Sequence, residues 1–111
     1  MLKTNDYSAA SVVRSHIDMI DQSLESMIDT TIIDCKKAFA MRIRLDKMIS
    51  ELKEIWNDIH SDACGARNAL LSAEVKASKL HEAIMAATST TFDNECNIRW
   101  LSKLYELGLR G

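Results

Sequence analysis

Apolar side chains recur every three and four residues from Val13 to Ile59, in a phase that never slips. One heptad series, positions 13, 20, 27, 34, 41, 48 and 55, reads Val, Ile, Met, Asp, Met, Met, Ile. The other, positions 17, 24, 31, 38, 45, 52 and 59, reads Ile, Leu, Thr, Ala, Leu, Leu, Ile, so twelve of the fourteen sites are apolar. A run of this kind predicts one helix from about residue 8 to about residue 60, roughly 75 Å long at 1.5 Å per residue, with a seam that must meet other helices. Around its middle, Ile32, Ile33, Phe39 and Ala40 broaden the stripe beyond a two-helix seam, which predicts a bundle or an oligomer.

A second helix is expected over about 63–87, on the stripe Ala63, Ala66, Leu70, Ala73, Ala77, Leu80, Ile84 and Ala87. Small residues in a seam let two backbones approach closely while each contributes little buried area. Ser61, Asp62 and Gly65 mark a break before it, although the heptad phase runs on through them and leaves continuity across 61–65 open. The hydroxyl and Asx residues of Thr88-Ser89-Thr90-Thr91-Phe92-Asp93 compete with helical hydrogen bonds and predict a loop. A third, short helix follows over about 94–107, stopped by Gly108. The predicted fold is all-α: a long N-terminal coiled-coil helix, a second helix folded back as an antiparallel hairpin, and a short C-terminal helix. Residues 1–111 form a single helical domain, and oligomerisation completes the bundle.

Composition agrees with helix and little else. The 111 residues include no Pro and only three Gly, and no segment alternates polar and apolar residues in the manner of a strand. A formal charge of −2 is too small to imply polyanion or membrane binding on global grounds, and no apolar stretch reaches the roughly 18 residues of a membrane span. Cys35, Cys64 and Cys96 are odd in number and form no CxxC pair, which fits a reducing cytoplasmic or other intracellular setting. Their plain role is as small buried or half-buried side chains, while an exposed one could cross-link a dimer on oxidation.

Charge distribution adds a mode of association. Asp18, Asp21, Glu25, Asp29 and Asp34 have no base among them, whereas Lys36, Lys37, Arg42, Arg44 and Lys47 face Asp46 alone. A helix dipolar about Cys35 predicts an antiparallel homodimer, acidic half against basic half, ahead of a heteromeric partner with a similar helix or a monomer. Its self-association seam comprises Val13, Ile17, Ile20, Leu24, Met27, Ile32, Ile33, Phe39, Met41, Leu45, Met48, Leu52 and Ile55. Thr31 and Asp34 interrupt the pattern, either to set register and partner choice or because the seam drifts there and leaves them in solvent.

Chemistry-bearing motifs are scarce. His60 and Cys64 are four residues apart beside Asp58 and Asp62, but two ligands do not make a zinc site. His81-Glu82 opens a helical metalloprotease pattern that fails at Met85. The chain has no phosphate-cradling glycine loop, locally paired nucleophile or di-iron Glu-x-x-His pattern, so no enzyme activity, cofactor, metal or small-molecule substrate is expected. The function expected is that of a non-enzymatic protein–protein interaction module of adaptor, chaperone or inhibitor type. Its docking arm would be the terminal helix, through Trp100, Leu101, Leu104 and Tyr105. The alternative is a small nucleic-acid-binding or regulatory protein using the basic face 36–53, with contacts from Lys36, Lys37, Arg42, Arg44 and Lys47.

Overall fold

The expected 8–60 rod is instead two helices joined by a turn. In the computed structural model, which describes residues 2–59 and 65–110 with side chains from residue 11 onward, α1 spans Leu2–Ile28 and α2 spans Cys35–Asp58. Two further helices follow, α3 over Ala66–Ala87 and α4 over Asp93–Glu106. No strand occurs among the described residues.

The break at 29–34 has a local cause. Thr30, Thr31, Ile32 and Ile33 are all β-branched, a class with restricted rotamers in helices, and they take no helical assignment. Asp34 then stops and restarts the chain. Its backbone is extended and its carboxylate accepts the Lys37 N–H at 2.6 Å, a side-chain cap worth about 1 kcal/mol. Both polar interruptions of the heptad therefore lie in or beside a turn, where Thr31 and Asp34 are exposed.

Contacts between the helices fix their directions. Arg14 Nη1 donates to the Gly65 carbonyl at 3.1 Å, and Lys76 reaches Asp21 at 2.7 Å and Glu25. These pairs climb both chains together, so α1 and α3 run parallel. Asp46 meets His81 at 3.4 Å, and Trp56 lies under the Arg67 guanidinium at 5.9 Å. Here the numbers run oppositely, so α2 is antiparallel to α3, as it is to α1 where His16 meets Glu51 at 3.4 Å. The Cys96 thiol donates to the Ala87 carbonyl at 3.1 Å, which starts α4 back down α3.

The result is a helical bundle of 57 × 25 × 18 Å, with α3 packed against each of the other three helices. Its alanines explain that central place. Ala66, Ala73, Ala77, Ala83 and Ala87 are buried on more than one side of α3, and without side-chain bulk they let neighbours close in. Larger residues fill the remaining space: Ile17 and Leu24 from α1, Leu45 and Leu52 from α2, Leu70, Leu80 and Ile84 from α3, and Trp100 and Leu104 from α4 are all fully buried. Gly65 takes φ 66 before α3 and Gly108 φ 74 after α4. At the latter, Gly108 N–H donates to Tyr105 O and Leu109 N–H to Leu104 O, the paired bonds of a Schellman stop.

The chain thus closes a bundle on itself, with α2 and α3 covering the stripe that was expected to require a second copy. The second and third helices fall near their expected bounds, at 66–87 and 93–106. Residues 60–64, which carry His60, Ser61, Asp62, Ala63 and Cys64, lie outside the described residues. The first heptad element nevertheless ends at Asp58, and Ile59 is already extended.

Candidate functional site

Most of the seam predicted for self-association is spent inside the bundle. Ile17, Ile20, Leu24, Met27, Ile33, Met41, Leu45 and Leu52 are buried, and Val13, Met48 and Ile55 pack partly buried against them. Ile32 and Phe39 depart from expectation, being 77% and 58% exposed. Ile32 sits in the turn, and Phe39 points away from the buried face defined by Ala38, Met41 and Leu45.

The predicted docking arm also changes character. Trp100 and Leu104 are buried and cannot serve as exposed anchors, while Tyr105 is exposed and Leu101 half-buried. What the sequence missed is why α4 turns that face inward. Trp100 Nε1 donates to Thr30 O at 2.9 Å, Asn97 Oδ1 accepts Ile33 N–H at 2.8 Å, and Asp93 Oδ1 accepts Cys35 N–H at 3.1 Å. Positions 93, 97 and 100 share one helix face, and together they satisfy backbone groups that the broken helix released. The turn and α4 therefore stabilise one another.

The basic cluster is divided. Lys36, Lys37, Arg44 and Lys47 are exposed, while Arg42 is half-buried. Spacings of 36, 40, 44 and 47 place Lys36, Arg44 and Lys47 on one outward face, and among the described residues none of these bases forms an ion pair with an acid. The acids of α1 look elsewhere. Asp21 and Glu25 hold Lys76, and Asp18 pairs with Arg14 at 3.2 Å. Burial works to lower the Lys76 pKa, but the hydrogen bonds and charges of Asp21 and Glu25 outweigh it and leave the ammonium above its ordinary value.

Exposed apolar side chains and an open groove lie on α2 and α3. An open groove of about 670 Å³ runs between these helices, floored by Ile49, Leu52 and Ala77 and rimmed by Asp46, Lys53, Glu74 and His81. Leu71 and Val75, one turn apart on α3, form a ridge beside it and border a second hollow of about 400 Å³ with Leu109. Phe39 and Ile43, also one turn apart, extend the apolar surface on α2, and the 46-to-81 pairing sets Met85 near them. The only sequence signal for these residues was their position out of phase with the buried stripes.

Among the described residues no three His, Cys, Asp or Glu side chains gather as a metal-binding set, and no helix is long and apolar enough to cross a membrane. No protein-family model, curated protein or solved structure matches the chain.

Proposed function

We propose that this chain is a non-enzymatic protein-interaction module of adaptor, chaperone or inhibitor type, and that its working surface is the outer face of α2 and α3. One observation carries the reading: Phe39, Ile43, Leu71, Val75 and Met85, between 41 and 59% exposed, all stand on the two helices that form the open groove, Leu71 and Val75 lining the second hollow with Leu109. Exposed apolar surface gathered in one place and rimmed by charge is characteristic of a binding face. A groove between two antiparallel helices suits an amphipathic helix, whose apolar positions would lie on Ile49, Leu52 and Ala77. Rim charges of both signs, Asp46 and Glu74 against Lys53, would orient that helix.

A second copy of the chain is the first partner to test, because the surface offers helices that could dock in the same groove. Light scattering at tens of micromolar on wild type and on the Ile43→Asp/Val75→Asp variant reads this directly. A dimer mass that becomes a monomer mass in the variant supports self-association through the face. If both are monomeric, capture from native lysate with the two proteins as paired baits distinguishes a heterologous partner. Identical captured sets would refute the face.

A second reading rests on Lys36, Arg44 and Lys47, which share an exposed face and have no acid partner among the described residues. Such a face suits a phosphate backbone. A gel shift with duplex DNA or RNA that weakens steeply with salt supports this reading, and no shift at low salt rejects it.

A further inference from the structure

Cys35 and Cys96 lie far apart in sequence and meet where α4 closes over the turn between α1 and α2. Cys35 is the first residue of α2 and is half-buried, whereas Cys96 is fully buried on α4. The Cys35 thiol donates to Thr90 O at 3.4 Å, and its backbone N–H donates to Asp93 Oδ1 at 3.1 Å, one turn before Cys96 on the same helix. The Cys96 thiol donates to Ala87 O at 3.1 Å on the same stretch of chain, and the Cys35 thiol is among the groups that raise the Cys96 pKa. A disulfide would bring the two sulfurs to about 2.05 Å, which needs a shift at the Cys35 end. Cys35 adjoins the non-helical residues 30–34, which can absorb it.

We propose that Cys35 and Cys96 form a redox-modifiable pair, oxidised to an intramolecular disulfide by a low-molecular-weight disulfide such as oxidised glutathione, and that the bond fastens α4 to the start of α2. Accessibility assigns the order. The half-exposed Cys35 thiolate attacks one sulfur of the small disulfide, forming a mixed disulfide and expelling one small thiolate. The Cys96 sulfur, next to it, then attacks the Cys35 sulfur and expels the second small thiolate. Both protons lost by the protein pass to the two thiolates released, and the protein's two electrons end on the small thiols. Net, a dithiol and a disulfide exchange oxidation states.

Environment sets the pace of the second step. Burial, then the Cys35 thiol and the carboxylates of Asp93 and Asp34, push the Cys96 thiol up to about 12. A mixed disulfide at Cys35 removes the Cys35 contributions, so Cys96 becomes easier to ionise once the first step has occurred. Burial, the largest of these causes, stays in place, so closure by Cys96 is the slower of the two steps.

The test treats the reduced full-length protein with oxidised glutathione at pH 8, in the wild type and in a Cys64→Ser background, followed by peptide mass mapping without reduction. The expected product is one peptide joining Cys35 to Cys96, with an intact mass lower by two hydrogens and no glutathione retained. In Cys96→Ala the reaction should instead stop at a glutathione adduct on Cys35, and in Cys35→Ser Cys96 should stay unreacted. The cross-link closes a long loop and should raise the thermal midpoint by roughly 10 °C or more. A lasting adduct on Cys35 in the wild type, a Cys35–Cys35 dimer on a non-reducing gel, or reaction only after denaturation would each overturn the proposal. Cys96→Ala could fail to fold, in which case Cys35→Ala and the wild-type cross-link map still decide.

Discussion

Replacing Trp100 by Ala asks most directly whether α4 is part of the core or an arm held in reserve. The side chain is 0% exposed, and its indole N–H donates to Thr30 O at 2.9 Å across the turn. Truncating a buried Trp to Ala costs about 3–5 kcal/mol through lost transfer energy and the cavity left behind. Removing the donor adds about 1 kcal/mol, since the half-buried Thr30 carbonyl recovers water only in part. The sum, about 4–6 kcal/mol, is comparable with the whole stability of an ordinary domain, about 5–15 kcal/mol. Trp100→Phe keeps most of the apolar volume and loses the donor, so it should cost about 2 kcal/mol. Urea unfolding followed by far-UV circular dichroism should rank wild type above the Phe variant and the Phe variant above Ala, with unchanged m-values. In a Trp56→Phe background Trp100 is the sole indole, and its emission should be blue-shifted in the native state and move red on unfolding. An Ala variant within about 1 kcal/mol of wild type, or native Trp100 emission already like that of an indole in water, would refute the packing described and restore the docking-arm reading.

Three further substitutions probe separate features. Lys76 has its pKa raised by Asp21 and Glu25 against the pull of burial, so its stabilising effect is complete below the ordinary value of 10.5 and fades as pH rises beyond it. Lys76→Met should cost about 1 kcal/mol at neutral pH and flatten that alkaline loss in urea titrations; an unchanged alkaline profile would argue that the ion pairs contribute nothing. Cys96, pushed from 9.0 up to about 12 chiefly by burial, likewise favours the folded state below pH 9 and loses that advantage between about 9 and 12. Cys96→Ala should therefore remove part of the decline over this interval, and the result is void as support if the decline persists in full. Gly65→Ala places a Cβ at φ 66 and 3.0 Å from Arg14 Nη1, so thermal unfolding should show a loss of about 1–2 kcal/mol; no loss would mean that the backbone there has relaxed.

Helix content was legible because spacing of three and four residues reports directly on the buried face. The ends of α3 and α4 were also readable, since Gly108 and the hydroxyl run at 88–91 carry specific chemistry. The turn at 29–34 was missed because two signals conflicted there. Met27 and Met41 are fourteen residues apart, so the heptad resumed in phase after six non-helical residues and masked a cap, Asp34, with four β-branched residues before it. Local chemistry outweighed periodicity once α4 supplied Trp100, Asn97 and Asp93 to the turn's backbone, a set of contacts separated by 58 to 70 residues. No window of sequence short enough to show a helix pattern contains both sides of those bonds.

The same break changes what the apolar excess can mean. A straight first helix would have left the broad middle of its stripe uncovered by the hairpin and required a partner there, making association a condition of stability. Folding the stripe back against α3 meets that need within one chain, because alanines at 66, 73, 77, 83 and 87 let one central helix take three neighbours. Apolar residues left outside, such as Ile43 and Val75, are therefore not required by this bundle. Their replacement by Asp should leave stability within about 0.5 kcal/mol of wild type while changing what the protein binds, and that separation of folding from association makes the outer face of α2 and α3 testable as a site of function.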